Sequence, residues 1–119
     1  METRQKEYNE LTDFEKGVII GVLVGEGHFG GDGKQPHIMI KLHTRREPLL
    51  VWLRERIMGS RLYGPYQHGD RNYSMLTIRG KALSSFILEL VREKSWASID
   101  PYSFDRLKQM ITRYMRIEG

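Results

Sequence analysis

Glu26 is the acidic side chain in this sequence whose setting points most directly to chemistry. It lies in a glycine-rich apolar run, residues 19–29, which reads IIGVLVGEGHF. Upstream, residues 12–15 read TDFE, a capping box that predicts the start of a helix, so Glu26 falls at the C-terminal end of that helix. The helix dipole is negative there, and a carboxylate costs up to about 1 kcal/mol. A local rule broken in this way indicates a functional position.

Three glycines recur every four residues along the same predicted helix, Gly17, Gly21 and Gly25. Each glycine costs a helix about 1 kcal/mol relative to alanine, so we expect a compensating role for them. A stripe of small residues lets two helices approach closely, and a second copy of this chain is the expected partner. Such pairing would bring two Glu26 carboxylates together, and a divalent cation with oxygen ligands would offset their repulsion.

Basic and aromatic side chains follow the glycine-rich run. Residues 37–43, HIMIKLH, alternate and predict a strand with His37, Lys41 and His43 on its outer side. Basic residues outnumber acidic ones across residues 34–79, in a chain of net charge +4 and pI near 9.5. This composition is typical of a surface that binds a polyanion. A solvated basic face that only maintains solubility is the alternative.

The elements that must position these residues are predicted from periodicity and turn residues. The predicted fold class is α+β in the order α-β-β-α-β-β-α-α, with one antiparallel sheet, helices on one face and an exposed basic face. The predicted elements are a helix from Thr12, strands at 28–30 and 37–43, a helix at 44–58, strands at 61–66 and 73–79, a helix through Leu83 and Leu90, and a helix from Asp100 to Tyr114. We expect an N-terminal tail at residues 1–10, a core domain at 11–97 and a C-terminal helix packed on the core at 98–119.

Residues 19–29 resemble the motif of the LAGLIDADG homing endonucleases. Residues 19–27, IIGVLVGEG, look like the nine-residue motif itself, and residues 21–29 are similar to its variant GFIDGEGSF. The element order matches from about residue 11 to residue 96. The similarity is to the single-motif, homodimeric type, and it implies the αββαββα fold of that family. The matching positions are Gly21, Gly25, Glu26, Gly27 and Phe29.

This resemblance implies a homodimer that binds double-stranded DNA at a pseudo-palindromic site and hydrolyses a phosphodiester bond in each strand with Mg²⁺. It implies Glu26, Lys94 and Gln35 (or His37) as catalytic residues, and Glu26 with Gly25 as metal ligands. The expected dimer interface consists of Ile20, Gly21, Val24 and Gly25. The expected DNA-binding residues are Lys34, His37, Lys41, His43, Arg45, Arg61, Tyr63, Gln67, His68, Arg71, Tyr73, Met75, Thr77 and Arg79.

Two departures from the family's pattern keep other interpretations open. Val24 stands where the family often has aspartate, and the hairpin after Gly27 is short. The second interpretation is therefore a LAGLIDADG-type DNA-binding protein or transcriptional regulator without cleavage activity. The third is a protein-interaction domain that binds no nucleic acid. Residues 17–25, GVIIGVLVG, are alternatively only a buried core segment with tolerated glycines. Residues 25–30 also match G-x-G-x-x-G, but a dinucleotide site needs a strand before it and a helix after it, the reverse of this pattern.

The composition excludes several other classes. The chain has no cysteine, which excludes disulfides and thiol chemistry, and its four histidines do not have the spacing of a zinc site. The first residues contain no apolar export signal, and the longest apolar run is far shorter than the roughly 20 residues of a membrane span. We expect an intracellular protein, cytoplasmic or nucleoid-associated, with no membrane partner and no small-molecule substrate.

Overall fold

The computed structural model describes residues 5–115, which form an α+β structure with one four-stranded antiparallel sheet and five α-helices. The helices are α1 (Asp13–Glu26), α2 (Glu47–Arg54), α3 (Gly80–Val91), α4 (Lys94–Ile99) and α5 (Pro101–Tyr114). The strands are β1 (Gly27–Gly31), β2 (Pro36–His43), β3 (Ser60–His68) and β4 (Arg71–Arg79). Within this part of the chain, no helix is long and apolar enough to cross a membrane. The α+β class and the single antiparallel sheet confirm the prediction at this level.

Helix α1 begins at the predicted capping box. The Glu15 backbone N–H donates to Thr12 Oγ1 at 3.1 Å, and the Thr12 N–H donates to Glu15 Oε1 at 2.9 Å. Arg56 Nε donates to the other oxygen of Glu15 at 2.7 Å, which ties the start of α1 to the turn after α2. The Thr12 backbone bond, supported by the Arg56 side chain, holds the pKa of Glu15 below its usual value although burial opposes this. At the other end of α1, a Cβ on Gly27 would lie 2.5 Å from the Leu23 carbonyl oxygen, so glycine is required where the chain turns into β1.

The sheet has the strand order β1-β2-β4-β3, so β2 and β4 are its two central strands. Ile38 pairs with Ile78 and Ile40 with Leu76, and all four side chains are buried on what we call the inner face. Side chains alternate along a strand, so the neighbouring residues point the other way. The outer face consists of His28, Gly30, His37, Met39, Lys41, His43, Arg61, Tyr63, Tyr66, His68, Arg71, Tyr73, Met75, Thr77 and Arg79.

The helices cover the inner face only. Helices α2 and α3 contact the central strands, and α1 and α5 contact β1 and β2, whereas α4 packs against α5. Their apolar sides meet the strands in one core, whose fully buried helical residues include Ile19, Leu23, Leu50, Leu53, Leu83, Ile87, Leu90, Trp96 and Leu107. Helices therefore cover the inner face of the sheet, and no helix of the described chain lies over the outer face.

One predicted helix has different bounds in the structure, and one helix was not predicted. The predicted helix at 44–58 begins with a 3₁₀ turn, Thr44–Arg46, and its α-helical part ends at Arg54. Helix α4 was not predicted separately, because its six residues are too short to show a helical repeat. Trp96 of α4 is fully buried, and its Nε1 donates to Ser103 Oγ of α5 at 2.7 Å, which fixes the α4–α5 corner.

The predicted domain bounds also change. Residues 5–10 are not a free tail, because the Lys6 backbone N–H donates to the Arg56 carbonyl at 3.0 Å and the Gln5 side chain accepts from the Gly59 N–H at 3.0 Å. Residues 1–4 and 116–119 lie outside the described residues. The predicted boundary at residue 98 falls inside α4, whose packing on α5 joins the two segments. Helix α5 packs on the core through buried Leu107 and Met110.

Candidate nucleic-acid interface

The outer face of the sheet is basic and contains no acidic side chain. Across the four strands, all of which lie within residues 5–115, the sequence has no Asp or Glu. The positive side chains of the outer face are Lys41, Arg61, Arg71 and Arg79, and the four histidines of the chain lie there as well. A face with this composition has the chemistry to bind phosphates and base edges.

Two histidines and an arginine on three adjacent strands lie on the outer face, at the end of the sheet where β4 finishes. His37 of β2 pairs in register with Arg79 of β4, and its ring centroid is 6.3 Å from that of His28 in β1. Burial lowers the pKa of His37, the positive neighbours His28 and Arg79 lower it further, and Asp32 opposes them. Neutral His37 can therefore offer one donor and one acceptor nitrogen to a base edge.

His43, at the end of β2, is oriented by a backbone hydrogen bond. Its Nδ1 accepts from the Arg45 N–H at 3.0 Å, which assigns the ring proton of neutral His43 to Nε2. Arg45 lies in the 3₁₀ turn after β2, and its side chain is exposed. The two side chains predicted at this corner are therefore both free to contact a ligand beyond the end of the strand.

An aromatic cluster occupies the outer face near the β3–β4 turn. The ring centroid of Tyr73 lies 5.4 Å from that of Tyr66 and 6.0 Å from that of His68, with the His68 and Tyr73 planes only 17° apart. Lys41 Nζ lies 5.7 Å from the Tyr73 centroid. We call Tyr66, His68 and Tyr73 the aromatic cluster, and Lys41 gives it a cationic edge.

A register shift in β3 brings Tyr66 into this cluster. Tyr63 pairs with Met75, whereas Tyr66 pairs with Tyr73, so residues 64–65 lie opposite Ser74 alone and β3 has one extra residue there. Strict alternation would have turned Tyr66 away from the face that holds Tyr63, and the bulge restores it to that face. The sequence analysis omitted Tyr66 for this reason, although Gly64-Pro65 inside a strand pattern is the signal that could have found it.

Two of the predicted DNA-binding residues are oriented differently from expectation. Thr77 belongs to the outer face, but its side chain is only 1% exposed between Met39 and Arg61, and its hydroxyl has no hydrogen-bond partner. It cannot contact a ligand in this arrangement. Gln67 lies in β3 and not in a loop, and it alternates with Tyr66 and so points to the opposite side.

The other predicted residues are accessible. Lys34 lies in the β1–β2 turn, where the Asp32 carboxylate accepts from its backbone N–H at 2.8 Å and its side chain is exposed. Met75 and Tyr73 are half-buried. Arg61, Tyr63, His68, Arg71 and Arg79 are exposed. Met39 and His28 also belong to this face and were not among the predicted residues, although the alternation of residues 37–43 places Met39 beside His37 and Lys41 on the outer side.

Glu26 lies at the last position of α1, beside the end of the outer face. Its Oε1 is 4.0 Å from Arg46 Nη1, and about half of each side chain is exposed. Arg46 follows β2 in the 3₁₀ turn and was not predicted near the motif. A guanidinium at this position offsets the unfavourable helix dipole at the Glu26 carboxylate.

The structure does not group Glu26 with Gln35 or His37. Gly27, next to Glu26, pairs with Ile40, whereas Gln35 lies beyond the pair at the other end of β1. A five-residue strand places that end roughly 16 Å away, too far for one metal site within a chain. Within one chain, Gln35 and His37 therefore do not share a site with Glu26, and their expected catalytic role stays a prediction. Lys94 is the exposed first residue of α4.

Metal ligands within one chain are few. Among residues 5–115, no group of three or more His, Asp or Glu side chains could hold a metal ion. Glu26 supplies one accessible carboxylate, and the Gly25 carbonyl precedes it at the end of α1. These two oxygens fit a hard cation, which prefers oxygen ligands, but only if further oxygens come from another molecule.

The exposed side of α1 presents the glycine stripe, together with apolar side chains. A Cβ added at any of the stripe glycines would meet no heavy atom within 4 Å, at Gly17, Gly21 and Gly25. Half-buried Val24 and the α4 residue Ile99 line a groove beside the stripe. Ile99 is 69% exposed and Phe14 is 73% exposed. Ile20, expected in the interface, is only 9% exposed and belongs mainly to the core.

The geometry thus separates a basic, acid-free sheet face from an apolar, glycine-lined helix face, with Glu26 and Arg46 between them. The first can bind a polyanion, and the second can bury apolar surface. No protein-family model and no curated protein sequence matches this chain. The family resemblance of residues 19–29 therefore depends on those residues and on the order of the elements.

Proposed function

We propose that this chain binds duplex DNA through the outer face of its sheet. The observation behind this proposal is the absence of Asp and Glu from all four strands, in contrast to the four Lys or Arg and the four His that they contain. A chain that only needed a solvated surface would mix both signs of charge on that face. A surface of one sign, combined with aromatic rings, favours the phosphate backbone and base edges of nucleic acid.

The dimensions of the sheet suit the major groove. Strand β4 has nine residues, which at roughly 3.4 Å per residue spans about 30 Å, or about nine base pairs along a duplex. The major groove admits strands, and Arg or Lys can form a bidentate contact with guanine there. Arg61 and Arg79 lie on the two neighbouring strands β3 and β4 and are the side chains best placed for such contacts.

The protein acts as a homodimer with a LAGLIDADG-like αββαββα fold in this proposal. The support is the exposed glycine stripe of α1 and the apolar side chains beside it, Phe14 and Ile99. A two-fold axis along α1 would extend the two sheets into one basic surface and would favour a pseudo-palindromic DNA site. It would also bring the two Glu26 residues to the centre of that surface.

The proposed reaction is hydrolysis of a phosphodiester bond at this centre. Glu26 and the Gly25 carbonyl would hold Mg²⁺, which lowers the pKa of water and stabilises charge on phosphate oxygens. The remaining oxygen ligands would come from the second chain and from DNA, because each chain would contribute one carboxylate, that of Glu26, to this centre. Arg46, whose Nη1 lies 4.0 Å from Glu26 Oε1, would attract the phosphate.

A second candidate is a sequence-specific DNA-binding protein or transcriptional regulator that does not cut DNA. The Glu26–Arg46 pair favours it, because a guanidinium beside the carboxylate competes with a cation for the same oxygens. The position of Gln35 at the far end of β1 favours it as well, because no amide side chain accompanies Glu26. Both candidates share the same DNA-binding face.

The experiment that separates them starts by selecting bound duplexes from a random pool. The proposal expects a palindromic consensus. A plasmid with the selected site is then incubated with the protein in Mg²⁺ and, for binding alone, in Ca²⁺. Cleavage that Glu26→Gln abolishes, with binding retained, supports the nuclease. A site that is bound in Ca²⁺ but never cut in Mg²⁺ supports the second candidate, and a pool without enrichment contradicts both.

A further inference from the structure

The aromatic cluster presents ring faces that a paired duplex cannot use. Base pairs offer their edges to the groove, whereas their faces are covered by the neighbouring pairs. Base faces become accessible only where stacking is interrupted, and aromatic side chains then stack on them. Tyr66 is 39% exposed, His68 is exposed, and neither ring belongs to the core.

Positive charge lies on two sides of the cluster. Lys41 Nζ is 5.7 Å from the Tyr73 centroid, and Arg71 pairs in register with His68 on the same face. The strands that hold these residues contain no acid to oppose a phosphate. Ring faces edged by cations are the combination that binds a single-stranded segment without a sequence preference.

We propose that the aromatic cluster stacks on an unpaired nucleobase, so that the protein prefers DNA with a short unpaired segment to a fully paired duplex. The proposal rests on the proposed DNA binding of the outer face. It assigns Tyr66 as the residue that contacts the base, because this ring is the most exposed tyrosine of the cluster. Tyr73 supports Tyr66 from the neighbouring strand, and Lys41 binds the adjacent phosphate.

Cross-strand packing is the competing explanation for the cluster, since aromatic pairs also stabilise hairpins. A structural role alone would change the stability of the hairpin and its affinity for every DNA equally. The readout that separates the two roles is the ratio of two affinities, measured with the same protein. Substitutions at Tyr66 suit this test, because its exposure leaves the core intact.

The experiment compares a short duplex of mixed sequence with the same duplex that contains a central unpaired thymine segment, by fluorescence anisotropy. The unpaired segment is expected to raise the affinity of the unsubstituted protein roughly 5- to 100-fold, the range of one stacked base. Tyr66→Leu should remove most of this preference, and Tyr66→Phe should retain it because the ring remains. Tyr63→Leu is the comparison on the same strand, with a similar exposure of 36%; as a residue of the outer face it should lower the affinity for both DNAs equally and leave their ratio unchanged.

The outcomes are distinguishable from a failure of the proposed function. Binding of neither DNA contradicts DNA binding itself. Equal affinity for both DNAs overturns the stacking proposal and leaves duplex binding in place. An equal loss of preference in Tyr66→Leu and Tyr63→Leu also overturns it, because the cluster would then have no special role.

Discussion

The histidines on the outer face give the candidate interface a chemistry that lysines would not. All four of them lie in strands and share one face of the sheet, His28, His37, His43 and His68. An imidazole ring can offer both a donor and an acceptor to a base edge, which a lysine ammonium cannot. His37 is the one whose surroundings favour the neutral form most clearly, because it is partly buried beside His28 and Arg79.

We predict that DNA affinity rises and that stability of the free protein falls as the pH is lowered toward about 6. The folded chain holds the pKa of His37 below its ordinary value of 6.5. The unfolded chain therefore binds this proton more readily, and lowering the pH below that value shifts the folding equilibrium toward the unfolded state. A DNA phosphate near His37 would raise its pKa, so binding would take up the proton. One proton taken up corresponds to at most about a tenfold gain in affinity per pH unit.

The measurement is duplex binding by anisotropy at about pH 8 and about pH 6, together with urea unfolding at each pH. In His37→Gln, both pH effects should become smaller. Because His28 and Arg79 also face this ring, His28→Gln is a useful comparison and should weaken the effects less. An unchanged pH dependence in His37→Gln would show that His37 is not the titrating group.

At the scale of the elements, helix α1 has two sides with different surroundings. One side buries Ile19 and Leu23 in the core, and the other exposes the glycine stripe. Glycine is usually required where a larger side chain would clash with its neighbours, but a Cβ at Gly21 would meet no heavy atom within 4 Å in this chain. The proposed pairing of α1 with a second chain would give glycine a role at this position.

We predict that Gly21→Leu converts a dimer into a monomer and stabilises the monomer by up to about 1 kcal/mol, the difference in helix propensity. The leucine side chain would separate the paired helices but would meet open space in the single chain. Analytical ultracentrifugation and urea unfolding measure the two effects. Gly21→Ala is the control that retains a close approach. A Gly21→Leu protein that remains dimeric would exclude this stripe as the interface.

The elements could be predicted where a local pattern determines them. The capping box at Thr12 marked the start of α1, and the alternation of residues 37–43 marked β2. The sequence did not reveal that Tyr66 shares the outer face, because the bulge at residues 64–65 changes the alternation. Helix α4 escaped prediction because its six residues show no helical repeat and its position depends on the burial of Trp96 against Phe29 of β1 and against α5.

The candidate site was predictable in part for the same reason. The alternation of side chains along each strand identified most residues of the outer face, because successive residues of a strand point to opposite faces of the sheet. The separation of Glu26 from Gln35 depends on the register between β1 and β2, in which Gly31 pairs with Pro36. The approach of Arg46 to Glu26 depends on where β2 ends and turns. Both are relations between elements that are distant along the chain, and spacing in the sequence does not contain them.

At the scale of the whole molecule, the basic side chains of the strands and the helices that pack on the sheet lie on opposite faces of the sheet. Helices α1, α2, α3 and α5 pack on the inner face, so the strands keep their basic side chains toward the other side. Among residues 5–115, no acidic residue lies in a strand, so the charge of the chain is unevenly distributed. A polyanion would therefore meet the sheet first, and the helix face that contains the glycine stripe would remain available for a second chain.

The central claim is that the outer face binds duplex DNA, and the most direct test is the dependence of duplex affinity on salt concentration in three variants. Arg61→Ala and Arg79→Ala each remove one exposed charge from the outer face, and Arg92→Ala removes one from the end of α3, where the side chain is 72% exposed. We predict that the first two each weaken binding by about 1–3 kcal/mol if they contact bases, or reduce the salt slope by about one if they contact phosphate, and that Arg92→Ala changes neither. An unsubstituted protein that does not bind duplex DNA at low salt, or an Arg92→Ala effect as large as the other two, would contradict the claim.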